Sequence, residues 1–374
     1  MPIGADGRLS ELAQVFLKLG TTAFGGPAAH IAMMEEEVVV RRQWLTREDF
    51  LDYLGATNLI PGPNSTELAI HVGQARAGWP GLLVAGACFI LPAALIVGAL
   101  GWAYVRYGSL PAVEGLLYGI KPVVIAIVLQ ALLRLTHSAV KSWQLALIGL
   151  AAVAAVLSGV NDLLVLALAA AIARLALVKG RRGEGTVLAV VPGLAAAAAP
   201  VTFGLWPLFL VFLKIGSVLF GSGYVLLAFL RADFVERLGW LTERQLLDAI
   251  AVGQMTPGPV FTTATFVGYL LGGGTGAVVA TAGIFLPAFF FVALSARILP
   301  RLQGSAVARA ALDGINVASL ALMAVVTWQL SMAALVDWPT RIIAIASAVI
   351  LLRFRLNSAW LVLAGAGIGL VAHG

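Results

Sequence analysis

The fold that this sequence predicts is an all-helical integral membrane protein of about ten spans in two inverted repeats, each with a re-entrant helical hairpin broken at Pro-Gly-Pro. Composition, an internal duplication and the two breaks predict it. Of 374 residues, 60% are hydrophobic and 11% charged, with a mean hydropathy of +0.97, whereas a soluble domain carries about 25% charged residues. Apolar runs of roughly 20 residues cross hydrocarbon as helices, and such runs lie at 81–104, 122–135, 143–160 and 163–178, then at 277–296, 317–335, 342–352 and 360–371. A twofold alternation is absent, which excludes an outer-membrane barrel. The net charge of +6 sits in short loops, where it orients a membrane protein rather than binding nucleic acid. The lone cysteine, Cys88, allows no intramolecular disulfide and no thiolate cluster. The start, Met1-Pro2-Ile3-Gly4-Ala5-Asp6-Gly7, is polar rather than basic-then-apolar, so no cleavable signal peptide is expected.

Self-comparison shows the duplication. Phe16-Leu17-Lys18-Leu19-Gly20 matches Phe212-Leu213-Lys214-Ile215-Gly216, Trp44-Leu45-Thr46 matches Trp240-Leu241-Thr242, Asp52 matches Asp248 and Pro61 matches Pro257, all at one offset. One residue is then lost, and Leu91-Pro92-Ala93 matches Leu286-Pro287-Ala288, Gly119-Ile120 matches Gly314-Ile315 and Trp143 matches Trp338. A polar linker at 179–185 divides a first repeat, 1–182, from a second, 183–374. Each repeat holds an opening helix, a polar stretch, the hairpin and four further helices. Five spans are an odd number, which inverts the second repeat. Loop Lys and Arg gather on the linker side with the second repeat inverted or parallel, so the positive-inside rule places that side in the cytoplasm without choosing the orientation. Residues 186–201 are a candidate extra span, which would remove the inversion.

The first break reads Leu59-Ile60-Pro61-Gly62-Pro63-Asn64-Ser65-Thr66-Glu67 and the second Met255-Thr256-Pro257-Gly258-Pro259-Val260-Phe261-Thr262-Thr263. Proline lacks an amide donor and glycine reaches unusual backbone angles, so each break ends one helix and starts another. The flanking helices are too short to cross, which makes each a re-entrant hairpin. Peptide groups left unpaired in hydrocarbon must be met by protein, water or a ligand, and paired breaks point to a transport site near the midplane. Asn64 and Glu67 have capping-box spacing. Alternatively the free donors and positive helix end, with Ser65 and Thr66, face an anion. Glu67 is then a cap or a titrating group that couples proton movement, with His71 as a second proton relay candidate. Thr262 and Thr263 hold the equivalent place in the second copy, which lacks both carboxylate and amide. Lys18 and Lys214 recur in the opening segments, either as interfacial anchors or as two cations that neutralise one divalent anion. Gly25, Gly26, Gly221 and Gly223 let backbone approach a ligand or line an anion nest. Lys121 has no cationic counterpart, Asn316 standing in its place. No metal site, cofactor or catalytic motif is expected: His30 and Glu35 lack metal-ligand spacing, and neither His-Glu-x-x-His nor Gly-x-Ser-x-Gly occurs.

The run Phe24-Gly25-Gly26-Pro27, then Trp44-Leu45-Thr46, then Leu59 through Glu67 and on to Leu68-Ala69-Ile70-His71, with its weaker second copy, resembles the chromate transporter family in its long-chain, two-repeat branch. The resemblance covers nearly all the chain. It implies a multi-pass secondary transporter of the bacterial plasma (inner) membrane that exports or exchanges chromate, a divalent oxyanion shaped like sulfate. The expected partners are chromate or sulfate and the lipid bilayer, with a homodimer as assembly and no nucleic acid. Rival readings are a passive oxyanion channel and a membrane-embedded enzyme acting on lipid phosphate. The enzyme would need a nucleophile or metal set that the apolar region lacks.

Overall fold

The computed structural model describes residues 5–177, 202–220, 223–303, 305–354 and 356–373, and among them every regular element is a helix. The linker, the boundary between 182 and 183, the candidate span at 186–201 and Gly221 lie outside the described residues.

Each repeat opens by entering the bundle and coming back, twice. α1 (Ala5–Thr22) lies along the long apolar helix that begins at residue 79: Glu11 pairs with Arg76 at 3.0 Å near that helix's start, and Gly20 abuts the carbonyl of Phe89, leaving no room for a Cβ. α1 therefore stops about halfway along the bundle. Gly25 and Gly26, at φ 104° and 77°, turn the chain. Pro27 then fits the first turn of α2 (Pro27–Glu35), where its missing amide is not needed. α2 widens into a π turn at Glu36–Arg41 and returns to Trp44, over whose ring Arg76 stacks at 5.1 Å. Thr46 caps α3 (Arg47–Thr57) through a capping box with Asp49, and α3 runs inward to the first Pro-Gly-Pro. α4 (Asn64–Tyr107) runs out and reverses at Ala77 and Gly78, the latter at φ 63°. Residues 64–76 and 79–107 are thus antiparallel helices, with Gly73 against Gly81 and Ile70 against Leu82. The Gly25-Gly26 turn sends the chain back after α1, at the place where the five-span reading has an opening span.

The rest of the first repeat is α5 (Pro111–Ala139), α6 (Trp143–Leu157) and α7 (Asp162–Leu177). The second repeat copies the order: α8 (Leu205–Val218), α9 (Leu226–Leu230), a π turn at Arg231–Arg237, α10 (Glu243–Met255), α11 (Thr263–Gln303) reversed at Gly272-Gly273, then α12 (Ala306–Ala334), α13 (Trp338–Arg353) and α14 (Ser358–His373). Among the described residues, Asn64–Tyr107, Pro111–Ala139, Val260–Ser295 and Ala306–Ala334 are long and apolar enough to cross a membrane, and Trp143–Leu157, Leu205–Val218 and Ser358–Ala372 are shorter apolar helices.

The repeats interlock. α5 packs on α13 and α14 of the second repeat, and α12 packs on α6 and α7 of the first. Glycine permits this closeness: Gly119 meets the backbone of Gly365, and its counterpart Gly314 meets that of Ala169. α5 and α12 are equivalent helices that run antiparallel. Tyr118, early in α5, donates to Asp337 just past the end of α12 at 2.6 Å, and Lys141, just past the end of α5, pairs with Asp313 early in α12 at 2.8 Å. One apolar core therefore joins both repeats, with Ile120 and Val124 beside Phe212, Leu227 and Leu322.

Candidate functional site

The two breaks meet at the centre, each bonded to the other repeat. The Gly62 amide donates to the Leu219 carbonyl at the end of α8 at 2.8 Å, and the equivalent Gly258 amide donates to the Ala23 carbonyl at the end of α1 at 2.9 Å. Gly62 and Gly258 lie at φ 140° and 86°, so glycine is what allows these amides to reach across. In this way the backbone groups freed by proline find protein partners, as hydrocarbon requires.

Beside this junction lies a cavity of about 800 Å³. Among the predicted residues, Gly25, Pro63, Asn64, Ser65, Gly223 and Pro259 line it. Gly26 is not among the lining residues, and a Cβ there would meet the Tyr224 hydroxyl at 2.9 Å. Three α-helices begin in the cavity wall: α2 at Pro27, α4 at Asn64 and α14 at Ser358. Neither α2 nor α4 has a side-chain cap. Uncapped N-termini present unpaired amides and the positive ends of helix dipoles, the backbone's own anion site. Arg134 adds a full charge, and among the described residues no carboxylate pairs with it. Lys141 also lines the wall, but Asp313 neutralises it. The wall therefore carries one net positive charge.

Other predicted residues stand behind the wall. Pro61, Gly62, Pro257 and Gly258 form the junction itself. Thr66 is fully buried, and Thr262 and Thr263 turn their hydroxyls back onto the carbonyls of Pro259 and Val260 at 2.8 Å each, a local bond that leaves no donor for a ligand. The capping box expected of Asn64 and Glu67 is absent. Pro63 occupies the cap position, Asn64 donates instead to Asn58 at 2.9 Å, and Glu67 is fully buried with neither carboxyl oxygen hydrogen-bonded among the described residues. His71 is 4% exposed and stacks on Tyr53 at 5.4 Å, away from the cavity. His30 is buried between Ser65 and the Ala23 carbonyl.

The two lysines do not line the cavity. Lys18 pairs with Glu37 and Lys214 with Asp233, each at 2.6 Å and each 19 residues along. This pair of contacts obeys the repeat offset, a signal present in the sequence. Glu37 lies outside the crossing helices. Its carboxyl is held below the ordinary carboxylate value by the hydrogen bond from Lys18 first, then by the charges of Lys18, Arg41 and Arg42, against the opposing effect of burial. Sequence reasoning missed Arg134 by counting it as a loop charge. The available signal was Gln130 and Arg134, one turn apart at the end of an apolar run; both line the cavity.

Residues 10–175 and 206–370 match the sequence model of a family described as Chromate transporter. The chain is 36% identical to a chromate transport protein of Cupriavidus metallidurans, over 98% of this chain and 93% of the relative. A chromate transport protein of Pseudomonas aeruginosa is 33% identical over 82% of this chain and 77% of the relative. An uncharacterized transporter of Methanocaldococcus jannaschii is 28% identical over 79% and 78%. No solved structure matches.

Proposed function

The chain belongs to the chromate transporter family of multi-pass membrane proteins, and from that membership we propose that it exports chromate from the bacterial cytoplasm across the inner membrane by a secondary, gradient-driven mechanism, with the cavity between the breaks as its oxyanion site. The observation that carries this reading is the convergence of three helix N-termini and the unpaired Arg134 on one cavity that both Pro-Gly-Pro breaks line. A tetrahedral dianion needs several donors from different directions and positive charge nearby. Amides at Asn64 and Gly25, the Ser65 hydroxyl and the Arg134 guanidinium are of that kind. Sulfate, of the same charge and shape, competes for the site. Lys18 and Lys214 serve it indirectly, each fastening a half-depth opening helix to the turn that follows.

In this topology the α1–α2 and α3–α4 entries are re-entrant pairs whose tips meet near the midplane. The repeats are inverted, a reading supported by the antiparallel course of α5 and α12. Read this way each repeat crosses four times, and the inversion then asks for one further crossing between Leu177 and Leu205, the opposite of the effect such a crossing has when each repeat crosses five times. Arg42, Arg47, Arg76, Lys141 and Arg353 share the face onto which the cavity opens, and the positive-inside rule makes that face cytoplasmic. Glu67 is the proposed proton carrier, because it is the ionisable group buried directly behind the cavity wall without a hydrogen-bond partner among the described residues. His71, one turn on, is the alternative.

The test is uptake of labelled chromate into everted vesicles, with the pH gradient and the membrane potential collapsed separately. Accumulation against the chromate gradient that stops when the pH gradient is removed supports the proposal. Flux that only follows the chromate gradient makes the protein a channel, and no uptake at all overturns the assignment.

A further inference from the structure

A buried ion pair lies in the opposite half of the bundle from the cavity mouth, and the site described above makes no use of it. Lys121 Nζ is 2.7 Å from Asp248 Oδ1, and Tyr104 Oη donates to Asp248 Oδ2 at 2.7 Å. Asp248 is 1% exposed. The contact ties one repeat to the other, since Lys121 and Tyr104 belong to α5 and α4 and Asp248 to α10.

The duplication says what these positions are. Lys121 is the counterpart of Asn316, which lines the open cavity, and Asp248 is the counterpart of Asp52, which is exposed. Other wall residues have counterparts packed shut: Ser319 corresponds to Val124 and Gln130 to Val325, both buried. The cations alternate as well. Arg134 on the open side corresponds to the neutral Gln329, while the neutral Asn316 corresponds to Lys121. Of these two cations, Arg134 in the open half has no carboxylate partner among the described residues, and Lys121 in the closed half is covered by one.

We propose that Lys121 is a second oxyanion-binding residue, held by Asp248 and Tyr104 in this conformation and freed into the substrate path when the protein opens to the other face. The proposal rests on the inverted-repeat reading of the previous section. In inverted repeats the two faces open by exchanging the conformations of the halves around a fixed site, which gives Lys121 the wall position that Asn316 holds here. An ammonium has the same kind of partner in both states, a carboxylate when closed and a divalent oxyanion when open. The anion therefore replaces Asp248 without leaving the lysine unpaired in a medium where that is costly.

The test uses a Cys88→Ser protein with a reporter, Gln254→Cys, at the counterpart of the cavity-lining Asn58, labelled from outside intact cells with an impermeant maleimide. Asp248→Asn and Lys121→Gln each raise the labelling rate several-fold, and the charge swap Lys121→Asp with Asp248→Lys returns it toward the starting value. Separately, the ratio of half-saturating chromate at the outer face to that at the inner face, from right-side-out and everted vesicles, rises roughly tenfold in Lys121→Gln, the loss of a charge-assisted contact, and much less in Lys121→Arg. Unchanged labelling in all variants, or an unchanged ratio in Lys121→Gln, makes the pair a structural bridge and overturns the proposal. A parent protein that moves no chromate from either face overturns the functional assignment as well, and so is told apart from failure of the lysine's role alone.

Discussion

Arg134 supplies the uncompensated charge of the cavity, so Arg134→Gln removes one charge-assisted contact with the anion. Such a contact contributes about 1.5 to 3 kcal/mol, which predicts a rise of roughly tenfold or more in half-saturating chromate, measured by initial rates in everted vesicles. Lys141→Gln changes it little, because Asp313 already neutralises that lysine. Glu67→Gln separates binding from coupling: chromate binding survives, but accumulation loses its dependence on the pH gradient. A Gln variant that concentrates chromate with the normal pH profile moves the carrier to His71. Glu37 makes a stability prediction. Its carboxyl value is depressed on folding, so its pairing stabilises the protein above the ordinary value of 4.5 and is lost as pH falls through the lowered folded value. Glu37→Gln therefore lowers the melting temperature in detergent near neutral pH, and the difference from the parent shrinks as the medium is acidified. A difference that grows on acidification contradicts this.

The junction of the two breaks is where elements rather than single side chains decide the structure. Gly62→Ala places a Cβ against the Glu67 carboxyl, and Gly258→Ala places one against Ala93, both at positive φ. The left-handed conformation alone costs about 1 to 2 kcal/mol in an L-residue. Each variant is predicted to melt lower and to transport poorly, whereas Gly55→Ala, in α3 with open space around it, melts no lower than the parent, because alanine favours a helix interior over glycine. These breaks were legible because Pro-Gly-Pro acts locally, whereas the Thr46 and Thr242 capping boxes, which also lie within one turn, were read only as matching residues of the two repeats. Asn64 and Glu67 also have a local spacing, yet Pro63 takes the cap position and Asn58 takes the Asn64 side chain, a contact across the hairpin that spacing does not contain. The half-depth course of α1 was hidden for a similar reason. Its apolar residues, though few for a full span, were counted as one, and the packing of Gly20 on Phe89 shows where it stops.

At the scale of the whole molecule, each repeat is completed by the other, since α5 and α12 have their main neighbours across the duplication. The repeat offset was readable residue by residue, but the exchange of helices was not, because it depends on which glycine faces which. In the inverted arrangement the turn containing Trp44 faces the cytoplasm and the turn containing Trp240 faces outward. Cysteines introduced at Arg42 and at Gly239 of a Cys88→Ser protein should differ accordingly, with Gly239→Cys alone labelled from outside intact cells. Equal labelling removes the inversion and with it the alternating use of Arg134 and Lys121. The central claim is that one cavity, built from both breaks, holds the oxyanion, and equilibrium binding of labelled chromate to the purified protein tests it most directly. The account predicts one saturable site per chain that is weakened roughly tenfold in Arg134→Gln and also weakened in Ser65→Ala. Chromate binding that is unchanged in both variants would contradict it.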